Sequence, residues 1–124
     1  MKRIQNTQLK SVDGRLAVVS DGQRQANITP LMIFKASLGE AKATKEQGGL
    51  DLSKAILGLA KKLNKIDAEA KTIDLEDLEL TALKIAMNST SGLFQAVFEA
   101  QAVEAIENAK ELVAPKQTRK PKKG

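Results

Sequence analysis

Residues 92–113 read GLFQAVFEAQAVEAIENAKELV, and the reading of the whole chain turns on them. Phe94, Phe98, Ala102, Ala105, Ala109 and Leu112/Val113 recur at helical spacing. Leu93, Val97, Ala100 and Val103 widen that stripe, with Ile106 between them. The pattern predicts one long helix over 92–113, with an apolar arc broader than one narrow contact face. Such a helix is either central and covered on two sides, or partly exposed and used to hold a partner. Its alanines allow close helix approach. The rest of the chain is expected to fold around it, and Leu93, Phe94, Val97, Phe98 and Ile106 are the candidate partner interface.

The stretch before it, Asn88-Ser89-Thr90-Ser91-Gly92, is a tight break between two helical patterns. Upstream, Asp74 reads as a cap for a helix over 75–87, with Glu76 and Asp77 in the first turn, where the helix dipole favours acids. The cluster Asp74, Glu76, Asp77 and Glu79 lacks the alternating Asp/Asn loop and distal Glu of a calcium loop, so dipole complementation accounts for it without a metal. Residues 64–73 read as a polar connection. Before them, Leu52, Ala55, Ile56, Leu59, Ala60 and Leu63 form a clean amphipathic stripe over 52–65, capped by Asp51 or Ser53. Lys54, Lys61, Lys62 and Lys65 lie off that stripe and read as solvated side chains. Thr29-Pro30 is a helix start, a capping hydroxyl followed by proline at the first helical position, and opens a very apolar helix over 30–38. Residues 39–49, ending in paired glycines, read as a loop.

The first 28 residues read as β. Asp13-Gly14 and Asp21-Gly22 are two-residue turn signals between short runs of strand formers. The expected product is a hairpin or meander with strands near 8–12, 16–20 and 24–28, leaning on the helices because two or three short strands are marginal alone. Lys10, Arg15 and Arg24 on it are read as a solvated edge. The predicted fold class is therefore α+β: an N-terminal β-hairpin or meander packed on about four helices in one domain over 1–114. The β-hairpin region is 1–28 and the helical region 29–114. A basic disordered tail over 115–124 follows.

Composition narrows the chemistry. The 124 residues include no Cys and no His, which removes thiolate metal sites, disulfides and the commonest general base and zinc ligand. An unassisted Ser or Thr is a poor nucleophile. The expectation is a protein that is not an enzyme, with no catalytic residue, no cofactor and no metal. Aromatic residues are 2% of the chain, so the core must be aliphatic. The residues at 1–10 carry no apolar core of a signal peptide, and no apolar run is long enough to span a membrane, so the expected location is the cytoplasm.

Charge is unevenly spread. The formal net charge is +5, and the last ten residues carry five cations and no acid. Lys116, Arg119, Lys120, Lys122 and Lys123 would attract any polyanion with a salt-dependent affinity. No Tyr or Trp stands beside them for stacking on bases. The helix-break-helix around Asn88–Gly92 does not make a base-reading motif, because no basic residue lies between Lys84 and Lys110 and the acids Glu99, Glu104, Glu107 and Glu111 would repel phosphate.

The ordered segments QLKSVDGR (8–15), ITPLMIFKASL (28–38), LSKAILGLAKKLNKID (52–67) and IDLEDLELTALKIAMNSTSGLFQAVFEAQA (73–102) resemble a family of small uncharacterised phage and prophage accessory proteins. Those begin with a short Asp-Gly hairpin and continue through a buried helix, a Lys-rich amphipathic helix, an acid-capped helix and a last helix after a tight break. The likeness covers about 8–109 and lies in element order and patterning; the long apolar last helix and the basic tail depart from it. It implies phage origin, in which case the cytoplasm is the host's, and carries over no site residue. The leading functional expectation is a non-catalytic binding or regulatory protein, acting by protein–protein contact and self-associating. The alternatives are a nucleic-acid-binding accessory protein using the tail, and a phage structural or tail-assembly factor.

Overall fold

The computed structural model describes residues 1–20 and 25–112. The elements run β1 (Lys2–Gln5), β2 (Val18–Ser20), β3 (Gln25–Asn27), α1 (Pro30–Glu40), a 3-10 turn (Lys45–Gln47), α2 (Gly49–Asn64), β4 (Thr72–Leu75), α3 (Asp77–Ser89), α4 (Ala96–Glu107) and β5 (Lys110–Glu111). The class is α+β, as the sequence predicts. Its β structure is not confined to the first 28 residues, however. A three-stranded antiparallel sheet of order β4-β1-β5 is drawn from both halves of the chain, so the segment expected to be purely helical supplies two of its strands. A separate two-stranded ladder joins β2 to β3.

The central strand, β1, is KRIQ, with Ile4 as its one apolar residue. Ile4 is opposite Ile73, and Lys2 is opposite both Leu75 and Glu111. Ile4, Ile73 and Leu75 are buried, so one face of the sheet closes on the helices. The other face carries Arg3 between Asp74 and Lys110.

The organising helix is α1, not the 92–113 stretch. Phe34 is 0% exposed, and Leu31, Ile33 and Leu38 are buried with it. α1 packs against α2, α3 and α4. A helix with apolar residues on most of its circumference belongs in the middle of a small fold, because most of its sides must be taken out of water. Thr29 Oγ1 accepts the Met32 N–H at 3.3 Å, as the predicted cap requires. A second acceptor comes from β1's end: Asn6 Oδ1 takes the Leu31 N–H at 2.9 Å, while Asn6 Nδ2 donates to the Ala70 carbonyl at 2.7 Å. The buried amide thus ties the sheet, α1 and the turn before β4 together.

Four boundaries differ from expectation, each for a physical reason. α4 begins at Ala96 and ends at Glu107 instead of filling 92–113. Gly92 has φ +96°, which stops the helix from starting there, and the Glu99 carboxylate reaches back to accept the Gly92 and Phe94 N–H groups at 3.1 and 3.0 Å. At its other end, Lys110 and Glu111 leave the helix to pair with β1. Asp74 is not a cap: it lies in β4, and α3 starts after Glu76, whose N–H donates to Glu79 Oε1 at 2.8 Å. α2 begins at Gly49 behind Gly48, which takes the left-handed conformation, so neither Asp51 nor Ser53 caps it. Finally, the first strand of the meander is reduced to a single bridge, Lys10 with Leu16. Residues 21–24, with Arg24 and the second turn, lie outside the described residues, as do 113–124.

Candidate protein-interaction surface

The five residues picked from 92–113 do not share one exposed patch. Ile106 is 4% exposed and belongs to the core, together with Ala102. Phe94 and Phe98 are half-buried and packed against that core, and Val97 is half-buried as well. Leu93, at 44% exposure, is the one that stands out in solvent. The over-wide apolar arc has a simple cause. α4 lies at the rim of the bundle and gives only its Ala102–Ile106 edge to the interior, so its remaining apolar residues stay partly wet.

Beside that edge runs an open groove of about 630 Å³ between α3 and α4. Met87 and Asn88 line it on the α3 side, and Ala96, Ala100, Val103 and Ile106 on the α4 side. Its rim is acidic: Glu99, Glu104 and Glu107 stand along α4, facing a single cation, Lys84, on α3. Ala96 and Ala100 are exposed, and their methyl groups leave the floor shallow and wide. Glu99 is half-buried and engaged with the Gly92 and Phe94 amides, whereas Glu104 and Glu107 are exposed.

A second exposed apolar surface lies on α2. The predicted stripe is in place, with Leu52, Ile56, Leu59 and Leu63 buried. Ala55, which the periodicity assigns to it, is exposed. On the opposite side, Leu50, Lys54, Leu57 and Lys61 follow one another at i, i+4, i+7 and i+11, in a single line along the helix. Leu50 is 81% exposed and Leu57 56%. Lys65 continues the basic edge, while Ser53, Gly58 and Asn64 fill the remainder with small or polar groups. This face carries three cations and no acid; Asp51 stands about a quarter-turn away. The sequence pattern hides it, because a helix over 52–65 leaves Leu50 outside, whereas α2 begins at Gly49. The seven-residue spacing of Leu50 and Leu57, opposite a complete buried stripe, was the available signal.

The other candidates resolve individually. Lys62 is not a free member of the basic face: its Nζ donates to Glu79 at 2.7 Å, bridging α2 and α3. The acids expected to complement the α3 dipole each face a cation. Arg3 holds Asp74, the N-terminal ammonium lies 3.5 Å from Glu76, Lys2 lies 3.9 Å from Asp77, and Lys62 holds Glu79. Burial acts to raise the Glu79 carboxyl's pKa, but the Lys62 hydrogen bond and the Glu76 N–H outweigh it and hold it below the ordinary value. On the β2–β3 ladder all six residues are exposed, Val18 and Val19 among them. Arg15 pairs with Asp13 at 3.4 Å, and the Lys10 backbone is bracketed by Gln101, which accepts its N–H at 3.0 Å and donates to its carbonyl at 2.6 Å. Lys116, Arg119, Lys120, Lys122 and Lys123 lie outside the described residues.

Among the described residues, no helix is long and apolar enough to cross a membrane, and no group of three or more acids is placed to hold a metal ion. Comparison with protein-family models, curated proteins and solved structures returned no match.

Proposed function

We propose that this chain is a non-catalytic binding protein that works through protein–protein contact, self-association included. One observation carries the reading. The edge helix α4 fully buries only Ala102 and Ile106 and leaves Ala96, Ala100 and Val103 along an open, acid-rimmed groove. Apolar side chains held half in water realise only part of their burial energy, so a surface of this kind favours a partner that covers the rest. The lack of His and Cys supports the non-catalytic part. The element order that resembles phage accessory proteins extends the proposal to origin, with a structural or assembly role as the form that such contacts would take. Sedimentation velocity of the full chain at low and high micromolar concentration tests self-association. A sedimentation coefficient that rises with concentration supports it, and a strict monomer throughout removes that half of the reading.

The charge of the sequence favours a second reading, nucleic-acid binding through Lys116, Arg119, Lys120, Lys122 and Lys123. A mobility-shift assay at two salt concentrations, with these five residues intact or replaced by serine, separates it from the first. Unchanged binding after replacement eliminates the tail as the contact.

A further inference from the structure

We infer that the occupant of the α3–α4 groove is a second copy of this chain, presenting the outer face of its α2. The inference rests on the self-association reading and specifies its two surfaces. The two faces match in charge and span. The α2 face offers two leucines about 10.5 Å apart on a rigid helix, as anchors that alternate with Lys54 and Lys61. The groove offers a floor of small and aliphatic groups, Ala100 and Val103 among them, edged by Glu99, Glu104 and Glu107 over about 12 Å of α4. Cations without an acid on one side meet acids with a single cation, Lys84, on the other. Complementary potentials of this kind fix register and exclude the alternative of α2 faces or grooves meeting their own likeness, where like charges would be brought together.

The plug and the socket are different patches of the same chain. The contact is therefore head-to-tail, not two-fold: every copy has one plug and one socket left to use, and association continues until a ring closes or a filament grows. The groove also contains core and capping residues, Met87, Ile106 and Glu99, but the residues that carry the plug and the charged rim to be altered do not hold the fold. Lys54, Leu57, Lys61, Glu104 and Glu107 are all exposed, and none of the hydrogen bonds or ion pairs that tie the helices and sheet together runs through them.

Charge reversal on each side gives the test, with the full chain throughout and circular dichroism to verify folding. Lys54→Glu with Lys61→Glu disables the plug, and Glu104→Lys with Glu107→Lys disables the socket. Each double variant alone is expected to associate at least about tenfold more weakly than the parent. An equimolar mixture is expected to regain association, because each mutated surface then meets its opposite charge. Parental association by either variant alone, or a mixture that stays monomeric, overturns the plug-and-socket assignment while leaving self-association standing. A monomeric parent overturns both. Replacing the five tail cations with serine keeps two other occupants in view: stronger association would place the chain's own tail in the groove, and lost association would make the tail the plug. Either result overturns the inference, and unchanged association supports it.

Discussion

Arg3 and Asp74 meet side by side on the outer face of the sheet, Nε on Oδ1 at 2.8 Å and Nη2 on Oδ2 at 3.0 Å, across 71 residues of sequence. The paired geometry fixes the register of β1 on β4, since a shift of one residue would move Arg3 to the buried face. The hydrogen bond from Arg3, with its charge, holds the Asp74 carboxyl below its ordinary value of 3.8. A carboxyl with a lowered folded-state pKa stabilises the fold above its unfolded-state pKa, and that contribution is lost as pH falls through the folded-state value. Thermal melts taken from neutral pH down to below the ordinary carboxylate range are expected to show the parent losing stability. Asp74→Asn is expected to start lower and to lose less over the same range. An equal slope for both would mean that this pair does not contribute to acid sensitivity.

Asn6 is a three-way tie made of one amide. Asn6→Ala leaves the Ala70 carbonyl and the Leu31 N–H without their side-chain partner in a buried place. The expected loss is about 1–3 kcal/mol, read from urea denaturation with an unchanged m-value. Asn6→Asp keeps the acceptor for Leu31 but sets a buried carboxylate against the Ala70 carbonyl, so it should be destabilising at neutral pH and partly recover as the carboxyl is protonated.

Phe34 and Phe98 look alike in the sequence and differ in the fold. Phe34→Ala, at a fully buried position in the central helix, is expected to cost about 3–5 kcal/mol. Phe98→Ala, on the half-buried side of α4, is expected to cost less than half as much in the same denaturation experiment. Equal costs would restore the 92–113 stretch as the organising helix.

Gly92 holds φ at +96° with open space where a Cβ would be. Gly92→Ala is therefore expected to be destabilising through the backbone alone, by about 1 kcal/mol in a thermal or urea midpoint, with no clash to relieve. Crystal or solution structures of that variant should show the Glu99 carboxylate losing its hold on the Gly92 amide.

What local pattern determines was legible. Thr29-Pro30 announced α1 because a cap and a preset φ are properties of two neighbouring residues. The α2 stripe was readable because its four buried leucine and isoleucine positions share one face of one helix. The sheet was not, because nothing in KRIQ or Lys110-Glu111 marks a strand; each becomes one only by pairing with residues far off in the chain. Asp74 misled for the same reason. An acid before a helical pattern reads as a cap, and only the distant Arg3 makes it a strand residue. On α4 the helical period runs on past the point where β1 claims the backbone, so tertiary pairing overrides it. As for the interaction surface, the groove acids were in plain view as reasons against DNA reading. The α2 face that the self-association proposal sets against them stayed hidden because it depends on α2 starting at Gly49.

The position of β1 between β4 and β5 sets an order of events during synthesis. β1 leaves the ribosome well before either neighbour exists, and its hydrogen-bonding edges stay open while about seventy residues are added before β4 can reach it. The second edge closes later still, when Lys110 and Glu111 arrive. At a typical elongation rate of about 5–20 residues per second, the interval is seconds long, whereas helices form in about a microsecond. α1 and α2 can therefore collapse together early, with a short polar strand waiting beside them. The scarcity of apolar groups in KRIQ, which concealed the strand from a reader, also gives a passing chain or chaperone little to seize during that wait.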